Sequence, residues 1–380
     1  MLRVTWSNWK DKKLRMPNKK IIIAGGGTGG HIVPAIAIAN ALKKLEPSTE
    51  ILFVGAKGKM EMEKVPQAGY KIKGLDIAGF NRSSLIKNIS LPFKLVRSFW
   101  QVMRIVSGFK PDAVVGVGGY SSFPVLRYAQ FRGIPTFIHE SNSFAGKANV
   151  MLGKKATKVF VAEQEMGKFF PYEKIVLTGN PVRASIVNSN VSHEEGVRSF
   201  GLDPSKTVVL ATGGSLGAKG INEAIDEKLY MFIERGVQLI WQTGKPFEQR
   251  AAEITKGKPG IWTGAFITDM EKAYAAADIV ISRAGAMAIA ELCVVKKPVI
   301  FVPYPFAAED HQTANANRMV EKSAGLIVRD HEAKQLLVPV AVELAHSPDM
   351  QDRLKRYISK LSITDADERI AKEILKEIKH

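Results

Sequence analysis

From Lys20 to about Arg183, short aliphatic runs alternate with longer stretches whose apolar and polar positions recur at helical spacing. The runs fall at 21–24, 51–54, 72–75, 113–117, 136–139 and 159–162. Strands separated by helices predict a parallel, doubly wound sheet whose ligand rim is the carboxyl end of its strands. After a polar stretch, 185–195, which reads as a linker or linker plus helix, a second series follows, with strands at 208–211, 237–241, 279–282, 299–302 and 326–328. The architecture repeats although the sequence does not. At the end of the chain, 363–378 reads as a charged helix with Ile370, Ile374 and Ile378 on one face, spaced to pack across the domain junction.

The glycine-rich turns fall at the ends of these strands. KIIIAGGGTGGHIVPAIAIANAL, residues 20–42, reads as a buried strand, a turn from Gly25 to Gly30 and a helix started by Pro34. Glycines let backbone N–H groups approach an anion, and a helix start adds further donors and a positive dipole end. Gly25, Gly27 and Gly30 also satisfy G-x-G-x-x-G, so an ordinary dinucleotide site is the first rival. Such a site needs an acid at the end of the second strand, where this chain has Gly55-Ala56-Lys57-Gly58. His31 also puts a titratable imidazole at the helix entrance, which group transfer often needs and a nicotinamide site does not. Further turns follow at 118–122 (GGYSS), 139–142 (HESN), 213–218 (GGSLGA) and 283–288 (RAGAMA), the last opening a helix whose second turn carries Glu291. Two anion-holding turns in the second series suit a diphosphate.

Length and composition set bounds on this picture. A chain of 380 residues is too long for one ordinary core and suits two domains. The division expected is a basic extension over 1–18, a first domain over 19–183, a second over 184–363, and a last helix, 364–380, packing back on the first. A net charge of +17 favours a polyanionic partner, either nucleic acid or an anionic membrane surface. The sign cannot choose between them. The single cysteine, Cys293, excludes disulfides and reads as a buried structural residue. No apolar run is long enough to span a bilayer, and the first twenty residues lack the apolar core of a signal peptide. Between Ala78 and Lys110 apolar and basic residues mix without a single acid. That segment reads either as a core helix with a solvated basic face or as a peripheral membrane contact centred on the loop 81–93.

Eight motifs occur in order: GGGTGGHIVPAIAIANAL, GVGGYSSFP, HESNSFAGKAN, GNPVR, ATGGSLGA, AAADIVISRAGAMAIAEL, KPVIFVPYPFAAEDHQTANA and DADERIA. Together they resemble the MurG family, the lipid I N-acetylglucosaminyltransferases of bacterial peptidoglycan synthesis, over nearly everything after residue 18. The resemblance implies an α/β chain of the GT-B class, two Rossmann-like doubly wound parallel-sheet domains facing across a cleft. It implies transfer of GlcNAc from UDP-GlcNAc to the 4-hydroxyl of MurNAc in undecaprenyl-pyrophosphoryl-MurNAc-pentapeptide, with inversion, on the cytoplasmic membrane face. It puts Thr28, Gly29, Gly30, Asn142, Arg183, Ser215, Ile267, the helix start Ala286, Met287, Ala288, Ile289, Ala290 and Glu291, and Gln312 on the donor. Glu291 takes the ribose diol and Ile267 meets uracil through its backbone. His31, Tyr120 and Glu140 match positions lining the family's cleft. Leu216 and Ala288 depart from members that carry Gln and Thr there, which removes two side-chain contacts and keeps the backbone donors.

Displacement at an anomeric carbon needs a proton acceptor and stabilisation of the departing UDP. No Asp-x-Asp stands at a strand end, so helix starts and backbone amides are expected to replace a cation, with no metal and no cofactor. His31 is one candidate base, since the positive end of a helix disfavours the imidazolium, and Glu140 is the other; His31 also reads as a ligand hydrogen-bond partner. His139 reads as structural, and Asp310 and His311 as orienting the loop before Gln312. Arg283 either holds phosphate or caps its turn. Asp76, Glu61 and Glu63 read as solvated. The rival readings are a glycolipid synthase or nucleotide-sugar epimerase of the same architecture, and a nucleic-acid-binding protein. The last lacks any zinc-finger spacing, helix-turn-helix pattern or RNA-binding aromatic signature, so no nucleic acid partner is expected.

Overall fold

A computed structural model of the chain describes residues 18–77, 91–163, 165–214 and 216–378. The expected N-terminal extension lies outside these residues apart from Asn18, as do residues 81–90 of the loop expected at a membrane. By its contacts the chain separates into two units. The first takes the described residues up to Ile138, 155–157 and those from Ala371 onward, and the second takes 139–154 and 158–370.

A seven-stranded sheet contains β1 Lys20–Ala24, β2 Glu50–Ala56, β3 Lys71–Leu75, β4 Ala113–Gly116, β5 Thr136–Glu140, β6 Lys158–Val161 and β7 Ile175–Leu177, in the order β3-β2-β1-β4-β5-β6-β7. A six-stranded sheet contains β8 Val208–Thr212, β9 Gln238–Gln242, β10 Ile261–Gly264, β11 Ile279–Ser282, β12 Val299–Phe301 and β13 Leu326–Ile327, in the order β10-β9-β8-β11-β12-β13. The strand order reverses at β1, which pairs in parallel with β2 and β4, and at β8, which pairs in parallel with β9 and β11. Such a reversal opens the crevice in which ligands of these sheets sit. The first glycine turn follows β1 and the GGSLGA turn follows β8.

The apolar runs form strands because both their faces are covered. Ile21, Ile22, Ile23 and Ala24 are all 0 % exposed. In the second sheet the alternation is explicit: Val209, Ala211, Leu239, Trp241, Ile279 and Ile281 enter one apolar layer, and Val208, Leu210, Ile240, Val280 and Phe301 enter the other. Trp241 is fully buried, and trimming it to alanine would cost about 3–5 kcal/mol. Two strands escape the sequence pattern, β7 (IVL) and β10 (IWTG). Both lie at sheet edges and are largely half-buried, so their apolar signal is short and incomplete.

The first helix spans Gly29–Leu45, so Pro34 lies inside it and does not start it. The missing N–H faces the carbonyl of Gly30 at the helix mouth, where the loss is least disruptive. The stretch read as a linker or linker plus helix, 185–195, leads into the helix His193–Ser199, whose N-cap Ser192 accepts the Glu195 N–H at 3.2 Å. The last helix runs Ala366–Glu377, with Ile370, Ile374 and Ile378 all buried as their spacing predicts. No helix among the described residues is long and apolar enough to cross a membrane.

Candidate functional site

In the first unit, Gly26 and Gly27 take φ of +146° and +89°, a conformation that favours glycine. The Gly26 N–H donates to the Gly118 carbonyl at 3.3 Å, and a Cβ on Gly119 would lie 2.3 Å from the Gly26 oxygen. The GVGGY motif is therefore what lets a second turn close against the first. Thr28, Gly29 and Gly30 are exposed at the helix mouth, where the first N–H groups of any helix have no partner within it. His31 Nδ1 lies 3.0 Å from the Gly26 carbonyl, which can only accept, so Nδ1 carries a proton. Tyr120, 57 % exposed, stands at the tip of the second turn.

Beneath the first turn lies a residue whose role the pattern hides. Glu61 is 1 % exposed, and its carboxylate accepts the N–H of Gly27 at 2.8 Å and of Ala56 at 2.9 Å. The expectation of a solvated Glu61 is therefore wrong. The expected void at Gly55-Ala56 is instead bridged from the start of the next helix, and the carboxylate braces the turn where a Rossmann acid would hold ribose. A Cβ on Gly26 or on Gly55 would meet this side chain at 2.3 or 2.5 Å. Asp76 is half-buried and paired: Lys57, at 2.8 Å, Arg97 and Gln101 hold it. Hydrogen bonds from Lys57 and Gln101, with the Arg97 charge, draw its pKa below the usual carboxylate value. Glu63 is exposed, as expected.

In the second unit, Glu140 ends β5 at 3 % exposure, and four donors surround its carboxylate. These are the Asn142 N–H (3.1 Å) and side-chain amide (3.2 Å), the Gly146 N–H (3.1 Å) and the Asn149 amide (2.9 Å). That arrangement holds the HESN turn in shape. His139, at 1 % exposure, lies within the sheet's core.

Arg183 and Glu291, more than a hundred residues apart, meet in a two-point pair, Nε to Oε1 at 2.8 Å and the second guanidinium nitrogen to Oε2 at 3.0 Å. The Tyr274 hydroxyl donates to Oε2 of the same carboxylate at 3.2 Å. Burial would lower the Arg183 pKa, but the Glu291 hydrogen bond and charge outweigh it, and the net shift is upward. Burial, followed by the Glu291 charge, pushes the Tyr274 phenol well above its usual value. Glu291 lies on the helix Ala286–Val295, whose mouth at Gly285 offers the N–H groups of Ala286, Met287 and Ala288; Ile289 and Ala290 are half-buried on its second turn. Cys293 on the same helix is buried, and burial pushes its thiol up to about 12.

The turn after β8 has Gly214 and Gly217 at φ +83° and +76° and exposes Leu216. Ser215 falls outside the described residues. Ile267 is buried, and its N–H already donates to Gln242 Oε1 at 3.0 Å. Gln312 accepts the Tyr304 N–H at 3.0 Å. It follows Glu309 and Asp310, both left-handed at φ +55° and +52°, and Asp310 accepts the Thr313 hydroxyl at 2.6 Å. Paired non-glycine residues of this kind mark a strained loop. Arg283 is committed to structure: it donates to the carbonyls of Val302 and Pro303 and to Asp330. Among the described residues, no three His, Cys, Asp or Glu side chains are grouped to hold a metal ion.

Glu61, Gln242 and Tyr274 are the residues the sequence pattern missed. For Gln242 a signal existed, since it is a polar residue ending an apolar strand at the ligand rim.

Residues 21–161 match the glycosyltransferase family 28 N-terminal domain, and residues 208–370 match the glycosyltransferase family 28 C-terminal domain. The chain belongs to glycosyltransferase family 28. Among its relatives is the UDP-N-acetylglucosamine--N-acetylmuramyl-(pentapeptide) pyrophosphoryl-undecaprenol N-acetylglucosamine transferase of Phocaeicola vulgatus, 53 % identical over 94 % of this chain and 96 % of that one. The crystal structure of Acinetobacter baumannii MurG superposes with a TM-score of 0.75 at 28 % identity, covering 94 % of this chain and 99 % of the other. A UDP-GlcNAc 2-epimerase from Neisseria meningitidis reaches a TM-score of 0.66 at 14 % identity, over 94 % of this chain and 100 % of that one, and shares the fold alone. The MurG resemblance read from the motifs is borne out. So is the GT-B class of this family 28 glycosyltransferase, with its two parallel-sheet α/β halves.

Proposed function

We propose that this family 28 enzyme moves GlcNAc from UDP-GlcNAc to the 4-hydroxyl of MurNAc in undecaprenyl-pyrophosphoryl-MurNAc-pentapeptide, with inversion at the anomeric carbon. Residues 19–183 take the acceptor pyrophosphate and part of the donor's sugar, the latter at Thr28, Gly29 and Gly30. Residues 184–363 take the nucleotide. The observation that carries this reading is the Arg183–Glu291 pair beside a helix mouth that offers three backbone donors. A carboxylate for a ribose diol and amides for a diphosphate are what a nucleoside diphosphate requires.

In the reaction, the MurNAc 4-hydroxyl attacks the anomeric carbon and its proton passes to His31 Nε2. The bond from that carbon to UDP breaks, and its electron pair leaves on the β-phosphate. The amides at Ala286–Ala288 and in the turn 213–217 stabilise the charge that develops there. The Gly26 carbonyl supports the base by holding the His31 proton on Nδ1. Glu140, surrounded by four donors, holds the turn of Asn142.

The enzyme acts at the cytoplasmic face of the membrane, on an anionic surface. In support, Trp100 (61 % exposed) and Phe131 (83 %) stand out from the helices Leu91–Phe109 and Ser122–Phe131, and Phe99, Arg127, Tyr128, Phe131 and Lys155 line a hollow there. Exposed aromatics beside basic side chains suit an interface with anionic lipid.

The decisive experiment incubates the purified protein with labelled UDP-GlcNAc and a lipid I analogue, with and without EDTA. The expected product is the β-linked disaccharide lipid, formed equally in both. Epimerised donor, transfer to diacylglycerol alone, or a requirement for added cation would overturn the reading in its reaction, its acceptor or its metal-free mechanism respectively.

A further inference from the structure

Gln242, the last residue of β9, is 3 % exposed and holds two chain segments at once. Its Oε1 accepts the Ile267 N–H at 3.0 Å and its Nε2 donates to the Gly214 carbonyl at 2.9 Å. One partner can only donate and the other can only accept, so the amide has a single orientation that satisfies both. Gly214 is the hinge of its turn: its carbonyl also accepts the Gly217 N–H at 3.0 Å, which closes the loop, and its φ is +83°. The surroundings allow little slack. The residues beside Gln242 bond onward to the segment before Ile267, Thr243 N–H to Gly264 and Gly244 N–H to Ala265, both at 3.0 Å. A Cβ on Gly217 would lie 2.0 Å from the Thr243 oxygen.

We propose that Gln242 is a positioning residue that sets nucleotide specificity, fixing the distance between the turn that receives the diphosphate and the segment at Ile267 that meets the base. The inference rests on the donor-site reading given under Proposed function and adds to it a residue that touches no substrate. The ribose holds every base at much the same distance from its phosphates, and the bases differ in the edge they present there. The segment at Ile267 can therefore tell them apart only if it stands at a fixed place relative to the phosphate turn. One neutral side chain spanning both makes that separation a property of the protein and not of the ligand. Neutrality matters as well, because a carboxylate in its place would set a negative charge behind a turn that binds an anion.

The test uses Gln242→Glu and Gln242→Met in the full-length enzyme. Gln242→Glu keeps the acceptor for Ile267 and turns an oxygen on the Gly214 carbonyl; Gln242→Met fills the volume and bonds neither partner. Binding of UDP, CDP, TDP and ADP is measured by calorimetry, and KM and kcat are measured separately for UDP-GlcNAc and the lipid acceptor. The expected result is a KM for UDP-GlcNAc raised by about tenfold or more, a reduced preference for UDP over the other diphosphates, and an acceptor KM within about twofold of wild type. A variant that loses melting temperature while keeping donor KM and base preference would show Gln242 to be structural only and overturn the inference. A wild-type protein with no affinity for UDP would overturn the donor-site reading itself and the inference with it.

Discussion

Glu61 and Glu291 are both buried carboxylates, 1 % and 6 % exposed, one in each unit, yet the donors that hold them differ in kind. Glu61 accepts two backbone N–H groups, those of Gly27 and Ala56. Glu291 accepts from the side chains of Arg183 and Tyr274. A backbone donor in a strand end or a tight turn cannot swing away without moving the chain, whereas the Arg183 guanidinium ends a flexible stem and is 37 % exposed. A ligand hydroxyl can therefore share or replace the donors of Glu291 and cannot displace those of Glu61. Burial alone does not mark a binding carboxylate; the freedom of its donors does. Glu140 stands between the two cases, with two backbone N–H groups and two side-chain amides.

The largest effect is expected at the braced carboxylate. Glu61→Ala strands two buried N–H donors and opens a cavity, a loss of roughly 3–5 kcal/mol of stability. Glu61→Gln keeps the shape but turns an NH2 on one of the two donors, and should cost about 1–3 kcal/mol. Urea unfolding measures both, and calorimetry should find UDP affinity within about twofold of wild type. If Glu61→Gln instead weakened UDP binding without loss of stability, the contrast between the two carboxylates would be broken.

At the second carboxylate the pattern should invert. Arg183→Ala leaves Glu291 with Tyr274 alone. Fully buried pairs lose 3–5 kcal/mol on such truncation, and the partial exposure of Arg183 reduces this to about 1–3 kcal/mol. Glu291→Gln keeps the volume and gives up the charge-assisted bonds. Its stability should fall by only about 1 kcal/mol while the KM for UDP-GlcNAc rises by about tenfold, which is ~1.4 kcal/mol of binding. A Glu291→Gln enzyme with wild-type donor KM would place the ribose elsewhere.

Much of this was legible in the sequence, and the parts that were not have a common cause. β1, β2 and β4 to β6 announced themselves because their apolar runs are covered on both faces, and the edge strand β3 through Ile72 and Leu75 alone, while β7 and β10 are short edge strands with weak periodicity. The glycine turns were readable because positive φ and close backbone approach demand glycine, as the 2.3 Å approach at Gly119 shows. What held those turns was not readable. Glu61 lies in a stretch rich in charge, MEMEK, that looks solvated, and only the close approach of Gly26 and Gly55 to its side chain shows where the carboxylate points. The Arg183–Glu291 pair joins residues 108 apart, and no local pattern encodes a partner at that distance. The sequence named both residues as donor ligands without indicating that they hold each other.

The smallest expected effect is at Tyr274, and its pH dependence makes it the sharpest. The phenol is 3 % exposed, and burial, then the neighbouring Glu291 charge, raises its pKa well above the usual 10. The raised value means the folded state prefers the neutral phenol, so the hydrogen bond to Glu291 is fully present below pH 10 and is lost only as pH climbs toward the folded value. Tyr274→Phe removes that bond and should cost about 1 kcal/mol, the same at pH 6 as at pH 9. Above about pH 10 the unfolded wild-type chain ionises at this residue while the folded chain resists, so wild type loses stability that the Phe variant, with nothing to titrate there, retains. The difference between the two proteins in urea unfolding should then shrink and reverse in sign. A gap that instead grew steadily from pH 6 to pH 9 would mean that the folded phenol ionises more readily than the unfolded one. An ionised phenol has no proton to donate, so Glu291 would then be held by Arg183 alone and its side of the comparison with Glu61 would fall.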